Sequence, residues 1–133
     1  FRAYNAQLFS ATMEDDGMCM EEVESLLKSN KNIKLIYTIP TFQNPAGITM
    51  SLEKRKKLLE LAVKYNVYIL EDNPYGELRF KGEHIPTIKA LDTQGRVIYV
   101  GSFSKILSPG LRLGWLVAPT EIMQMFTPIY LLR

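Results

Sequence analysis

The sequence predicts an α/β fold built on a largely parallel β-sheet, and three observations support this. Apolar runs of strand length alternate with segments of helical periodicity, as in the crossover units that join parallel strands. The last apolar run follows its predecessor after a loop too short for a helical crossover, so we expect it to pair antiparallel. The chain has 133 residues, of which 47% are hydrophobic and 23% charged, which suits one soluble globular domain or part of one.

The first half of the chain contains the better-patterned helices. Met20–Ser29 is amphipathic, with Val23, Leu26 and Leu27 on one side. The next helix is capped by Ser51, carries a stripe from Leu58 to Tyr65 and ends at Asn66 in a left-handed conformation. The remaining segments of this half are a short strand, a turn, a longer strand and a loop stiffened by two prolines: Gln7–Thr12, Glu14–Gly17, Ile33–Ile39 and Pro40–Gly47.

In the second half, strands dominate the pattern. We expect strands at Val67–Leu70 and Val97–Val100, a weakly patterned segment from Pro86 to Leu91, and the antiparallel strand at Leu111–Val117. The chain begins at Phe1, which we expect to lie at the end of a helix. It stops at Arg133, where the sequence shows no recognisable end of a domain. We therefore expect a fragment of a longer protein.

Charge and cysteine content exclude several functions. The net charge is +2, from 16 basic and 14 acidic residues that are interspersed, so nucleic-acid binding is not indicated. We interpret the one dense basic cluster, Lys54–Lys57, as a solvated helix face. The single Cys19 fits a reducing cytoplasm, and no apolar run of about 18 residues indicates a membrane span.

The most informative segment combines an amine nucleophile with groups that bind anions. Ser102, Ser104 and Lys105 follow the strand at Val97–Val100, and Arg112 comes seven residues later. Lysine forms Schiff bases with aldehydes, while hydroxyls and a guanidinium bind phosphate, so the segment predicts a pyridoxal phosphate site. The competing interpretation is a surface turn with a solvated lysine.

Polar residues follow three successive predicted strands: Asn44 the first, Asp72 the second, and Ser102 to Lys105 the third. Parallel strands bring their carboxyl ends to one edge of a sheet, where α/β proteins bind ligands. The order of elements therefore predicts a single site at this edge.

Four motifs in this order resemble the fold type I pyridoxal phosphate enzymes. They are Gln43-Asn44-Pro45-x-Gly47, Glu71-Asp72-x-Pro74-Tyr75, Gly101-Ser102-Phe103-Ser104-Lys105 and Gly110-Leu111-Arg112-Leu113-Gly114. Among these enzymes the chain is most similar to the multisubstrate branch of kynurenine, aminoadipate and aromatic aminotransferases, from about Gln7 to Phe126. The resemblance implies the central part of a mostly parallel, three-layer αβα large domain, with an N-terminal segment and a C-terminal small domain missing from residues 1–133.

The resemblance also implies a role for each site residue. Lys105 would form the Schiff base and shuttle the proton, and Asp72 would face the pyridine nitrogen. Asn44 and Tyr75 would hydrogen-bond the phenolic oxygen of the cofactor, and Asn44–Pro45 would be a cis peptide. Ser102, Ser104 and Arg112 would bind the phosphate.

Residues outside this scheme have structural interpretations. We expect Glu71, Tyr37 and Trp115 to be structural, the two aromatics as core residues, and His84 to be an exposed loop residue.

The implied activity is transfer of an amino group between an amino acid and a 2-oxo acid by a homodimeric cytoplasmic enzyme. Two alternatives remain open. One is the aminotransferase-like, cofactor-sensing domain of a transcription regulator. The other is a pyridoxal phosphate lyase or decarboxylase on the same fold, since the fold does not fix the reaction.

Overall fold

The computed structural model of the chain describes residues 5–130, with side chains as far as Phe126. The expectation that Phe1 ends a helix lies outside these residues. The elements in chain order are β1 (Met13–Glu14), β2 (Gly17–Met18), α1 (Met20–Ser29), β3 (Leu35–Thr38), α2 (Leu52–Tyr65), β4 (Tyr68–Asp72), α3 (Ile88–Leu91), β5 (Val97–Ser102), a 3-10 turn (Pro109–Leu111), β6 (Gly114–Val117) and α4 (Thr120–Tyr130).

The main sheet has the predicted topology. Its four strands lie in the order β3-β4-β5-β6. The first three pair in parallel, with Thr38 opposite Glu71 and Asp72 opposite Val100. Strand β6 pairs antiparallel to β5, with Ser102 opposite Gly114. The fold class predicted from the alternating pattern is therefore confirmed, including the antiparallel last strand.

Local signals in the sequence explain the ends of α2. The side chain of Ser51 accepts a hydrogen bond from the Lys54 backbone N–H, and so caps the helix as predicted. Asn66 ends the helix with φ 55°, and its N–H bonds the carbonyls of Ala62 and Val63. Helix α1 matches its predicted range.

One hydrophobic core lies beneath one face of the sheet. Leu58, Leu61 and Ala62 of α2 pack in the same core as Ile69 of β4 and residues of β5 and α3. The members of this core are Met18, Met20, Val23, Leu27, Met50, Leu58, Leu61, Ala62, Val67, Ile69, Ile88 and Val97. Among residues 5–130, no helix is long and apolar enough to cross a membrane.

The strand predicted at Gln7–Thr12 is not formed. Thr12 instead interacts with the start of α1: its carbonyl accepts from the Cys19 N–H, and its own N–H donates to the Glu22 carboxylate at 2.7 Å. The predicted turn at Glu14–Gly17 is correct, and it connects the short antiparallel pair β1 and β2. Helices α3 and α4 were not predicted, and α3 has only four residues.

The interpretation of Lys54–Lys57 as a solvated face is wrong for Arg55, which is fully buried. Its guanidinium donates to the carbonyls of Met50, Pro40 and Pro86, each at 3.0 Å, and to the Thr41 hydroxyl at 2.9 Å. Four hydrogen bonds compensate for the burial of the charge. Arg55 therefore ties α2 to both ends of the loop that carries Asn44 and to the segment before α3.

Glu71 is structural, as predicted. It is fully buried on β4, and its carboxylate accepts from the Ile88 N–H at 2.8 Å and the Lys89 N–H at 2.7 Å, at the start of α3. Burial raises the pKa of Glu71, while these N–H groups and the positive charge of Arg55 oppose the rise. Glu71 thus fixes α3 beneath the sheet.

We expect Arg55→Leu to lower the free energy of unfolding by roughly 3 kcal/mol, because it leaves several buried carbonyl groups without donors. Lys56→Leu, at the neighbouring exposed position, serves as the control and changes it by less than about 0.5 kcal/mol. Urea denaturation measures both values. Equal stabilities for the two variants would contradict the role assigned to the Arg55 guanidinium.

Candidate active site

The first site residue, Asn44, lies in a loop with a fixed backbone. The Gly47 N–H donates to the Gln43 carbonyl at 2.5 Å, and the Gln43 side chain accepts from the Ala46 N–H at 2.9 Å. Gly47 has φ +72°, a conformation that glycine adopts without strain. The Asn44–Pro45 peptide is cis, as predicted. The Asn44 side chain stands exposed at the tip of this loop.

Asn44 and Tyr75 lie together, although 31 residues separate them. The Asn44 amide Nδ2 donates to the Tyr75 hydroxyl at 3.4 Å. Both residues line an open cleft of about 620 Å³, together with Phe42, Leu78, Phe80 and other residues. The structure therefore brings the ends of β3 and β4 together as the parallel order predicts, and two groups able to donate a hydrogen bond stand side by side.

Asp72 is the last residue of β4, and its half-buried carboxylate has a partner that we did not predict. The Tyr37 hydroxyl donates to Asp72 Oδ2 at 2.8 Å. Tyr37 is 46% exposed, so the interpretation of this residue as core is wrong. Strand alternation gives the reason: Thr38 faces the buried helices, and Tyr37 therefore lies on the opposite face with Asp72.

Burial, the hydrogen bond to Asp72 and the negative charge of that carboxylate raise the pKa of Tyr37 to about 12. The phenol therefore stays protonated and remains a donor throughout the physiological pH range.

The second cluster follows β5. Asp72 is opposite Val100, so Ser102 lies two residues further along the adjacent strand and on the same face as Asp72. The Ser102 hydroxyl accepts from the Ser104 N–H at 3.1 Å, which starts a turn. The Phe103 carbonyl closes that turn by accepting from the N–H groups of Leu107 and Ser108. Lys105 is exposed within it.

Trp115 supports this turn from the other face of the sheet. Its indole packs on Gly101, where there is no room for a Cβ atom, and its ring centroid lies 4.8 Å from that of Phe103. Trp115 is half-buried rather than a core residue, which corrects our expectation. The reason is that it covers the end of the β5–β6 pair, away from the main core.

Arg112 differs from expectation in two respects. We predicted it within the strand at Leu111–Val117, as a residue that binds phosphate. It instead ends the 3-10 turn with φ 52°, its side chain is exposed, and the strand begins only at Gly114. Among the described residues it forms no ion pair. The β5–β6 pairing nevertheless brings Arg112 to the same end of the sheet as Ser102.

The residues gathered at this edge have complementary chemistry. Asp72 carries an acceptor for a protonated nitrogen, and Asn44 and Tyr75 carry donors for an oxygen. Ser102, Ser104, Lys105 and Arg112 carry hydroxyls and cations of the kind that bind phosphate. The described residues contain no cluster of His, Cys, Asp and Glu suited to a metal ion, and His84 lies exposed, as predicted. The sequence did not identify Tyr37 as a site residue, because its periodicity does not distinguish a tyrosine that faces the core from one that faces a site.

The sequence matches the family model described as aminotransferase class I and II over residues 1–129. It is 52% identical over 122 residues to aromatic-amino-acid aminotransferase 1 of Thermococcus litoralis, covering 89% of this chain and 29% of that protein. It is 38% identical over 129 residues to the uncharacterized HTH-type transcriptional regulator YisV of Bacillus subtilis, covering 97% of this chain and 26% of the regulator.

The structure resembles that of the kynurenine aminotransferase of Pyrococcus horikoshii, solved in complex with PMP, with a TM-score of 0.86 and 50% identity. This match covers 90% of the chain and 30% of that protein. The fold and the family match together define a domain of the fold type I class. The chain belongs to the class I and II aminotransferase family, and it spans about 30% of the length of the solved relative.

We expect Gly101→Ala to lower the free energy of unfolding by roughly 2 kcal/mol, because its Cβ falls on the indole ring of Trp115 and forces repacking next to the Lys105 turn. Gly110→Ala is the matched control: the nearest atom to its Cβ is Ser108 Oγ at 3.6 Å, an ordinary contact. Urea denaturation of both variants distinguishes them. A Gly101→Ala protein as stable as Gly110→Ala would contradict the packing described here.

Proposed function

We propose that this chain is the cofactor-binding part of a pyridoxal phosphate-dependent aminotransferase, which moves an amino group between an amino acid and a 2-oxo acid. The observation that carries the proposal is the meeting of Asn44 and Tyr75 near the end of β4, which Asp72 closes, at the edge where Ser102 ends β5 and the turn with Lys105 follows. The PMP bound to the Pyrococcus horikoshii relative, an aminated form of pyridoxal phosphate, supports the same cofactor here.

The described residues fit this cofactor. Asp72 would face the ring nitrogen and favour its protonated form, since a half-buried carboxylate stabilises a neighbouring cation. Asn44 and Tyr75 stand 3.4 Å apart, close enough for both to donate to one ring oxygen. These three side chains define the ring end of the site.

The phosphate end consists of Ser102, Ser104 and Arg112. The Ser102 hydroxyl already accepts from the Ser104 N–H, so its own O–H is free to donate to an anion. The guanidinium of Arg112 is exposed and supplies the compensating charge. Since Ser102 opens the turn and Arg112 ends the 3-10 segment, the loop between them fixes both groups.

Lys105 directly follows Ser104 in sequence and carries the reactive amine. When bound, the cofactor supplies an aldehyde carbon and an electron-withdrawing ring. Lys105 would hold the cofactor through Nζ, and once the substrate amino group has replaced it there, the released Nζ would accept the proton of the substrate α-carbon and return it. An exposed position on a turn gives the lysine the freedom of movement that this proton transfer needs.

Further parts of the proposal rest on the family. The chain forms part of the large domain, a small domain and an N-terminal segment complete the site, and the protein is a cytoplasmic homodimer. Apolar side chains on the site-bearing face of the sheet are half-buried, among them Leu70, Ile98 and Leu116, which suits a chain that packs on further structure.

A second candidate function is the sensor domain of a transcription regulator. The match to the Bacillus subtilis regulator at 38% identity favours it, but the match to the Thermococcus litoralis aminotransferase is higher, at 52%. A sensor binds the cofactor without sustained turnover, so kinetics separate the two functions. A lyase on the same fold is separated by its products, since elimination needs no 2-oxo acid acceptor.

We expect the intact protein to transfer amino groups from an amino-acid panel to 2-oxo acids, and Lys105→Ala to reduce this turnover roughly 10³-fold or more, because the proton carrier is lost. Lys34→Ala, an exposed lysine before β3, retains it. The assay measures the 2-oxo acid product together with the visible absorption of the bound cofactor. Bound cofactor without turnover on any pair of substrates would support the sensor instead.

A further inference from the structure

Tyr37 is an unusual residue for its position. It lies on β3, which pairs only with β4 among the described residues, and it is 46% exposed, so burial of its ring does not explain its presence. Its hydroxyl is nevertheless directed to one atom, Asp72 Oδ2, at 2.8 Å and across 35 residues of sequence. This hydrogen bond links the phenol of Tyr37 directly to a residue of the candidate site.

The bond restricts Asp72. A carboxylate at a strand end rotates about its terminal torsion unless a donor holds one oxygen. Tyr37 holds Oδ2, and Oδ1 accepts no hydrogen bond from the described residues. One oxygen of Asp72 is therefore occupied, and the other is available to a ligand.

The environment keeps Tyr37 a donor. Burial, the hydrogen bond and the charges of Asp72 and Tyr75 raise its pKa to about 12, so near neutral pH its proton stays on the phenol. The hydroxyl therefore remains available to donate its hydrogen bond to Asp72 Oδ2.

We propose that Tyr37 is a positioning residue for the cofactor ring: through its bond to Oδ2 it orients the Asp72 carboxylate so that Oδ1 holds the protonated ring nitrogen. This inference rests on the proposed function, and it adds a residue that none of the four sequence motifs contains. Since Tyr37 acts on the ring through Asp72, we expect removal of its hydroxyl to leave phosphate binding and substrate binding intact.

The test compares Tyr37→Phe with wild type in the intact protein loaded with pyridoxal phosphate labelled with ¹⁵N in the ring. We expect the nitrogen resonance of Tyr37→Phe to move toward that of unprotonated pyridine. We also expect kcat to fall about tenfold, because a hydrogen bond to a charged group is lost, with KM for the amino donor unchanged. Tyr68→Phe is the matched control: Tyr68 lies on the same face of β4 as Asp72 and makes its ring contact with Arg96, so its removal leaves the signal unchanged.

A double-mutant cycle tests the route of the effect. In an Asp72→Asn background, Tyr37→Phe should change kcat by less than about twofold, because the residue through which Tyr37 acts is gone. Effects that multiply independently in the double variant would overturn the inference. So would a Tyr37→Phe protein that fails to fold, since Tyr37 would then have a purely structural role.

The outcomes also separate this inference from the proposed function. If wild type binds no cofactor, the proposed function fails and the inference fails with it. If wild type binds the cofactor with a protonated ring and Tyr37→Phe shows the same resonance, only the role of Tyr37 is overturned.

Discussion

Parallel pairing of β3, β4 and β5 is the constraint on which the site depends. Residues distant in sequence meet only because the carboxyl ends of these strands share one edge. This register places Ser102 on the same face as Asp72, and it brings the loop of Asn44 to the end of β4, where Asn44 reaches Tyr75. Since one residue of slip moves every side chain to the opposite face, the register specifies the chemistry of the site as well as the fold.

Because side chains alternate along a strand, the two faces of the sheet carry residues with different roles. Glu71 and Asp72 are adjacent carboxylates, yet Glu71 faces the helices and caps α3 while Asp72 faces the opposite side and bonds Tyr37. The buried side secures the site from below, because Arg55 holds the loop of Asn44 by hydrogen bonds at both of its ends. The hydrogen bonds on the buried face of the sheet thereby help to position the polar groups on the opposite face.

The sequence predicts the parallel strands with an antiparallel last strand and the caps of α2, because these depend on apolar periodicity and on short-range signals such as Ser51 and Asn66. It does not predict which face a side chain occupies. Arg55 is buried although it lies in a basic run, and Tyr37 is exposed although it lies in an apolar run, because tertiary contacts decide the burial of both side chains. The turn conformation of Arg112 was missed for a related reason. The residues around it in the sequence are compatible both with a strand and with the turn at φ 52° that the structure shows.

The most direct test of the account is chemical. Pyridoxal phosphate bound to the intact protein is reduced with borohydride, and the modified lysine is located by peptide mass mapping. The account predicts modification at Lys105, in the turn that follows β5. Modification at Lys81, which lines the cleft beside Asn44 and Tyr75, would place the reactive carbon elsewhere and contradict the account.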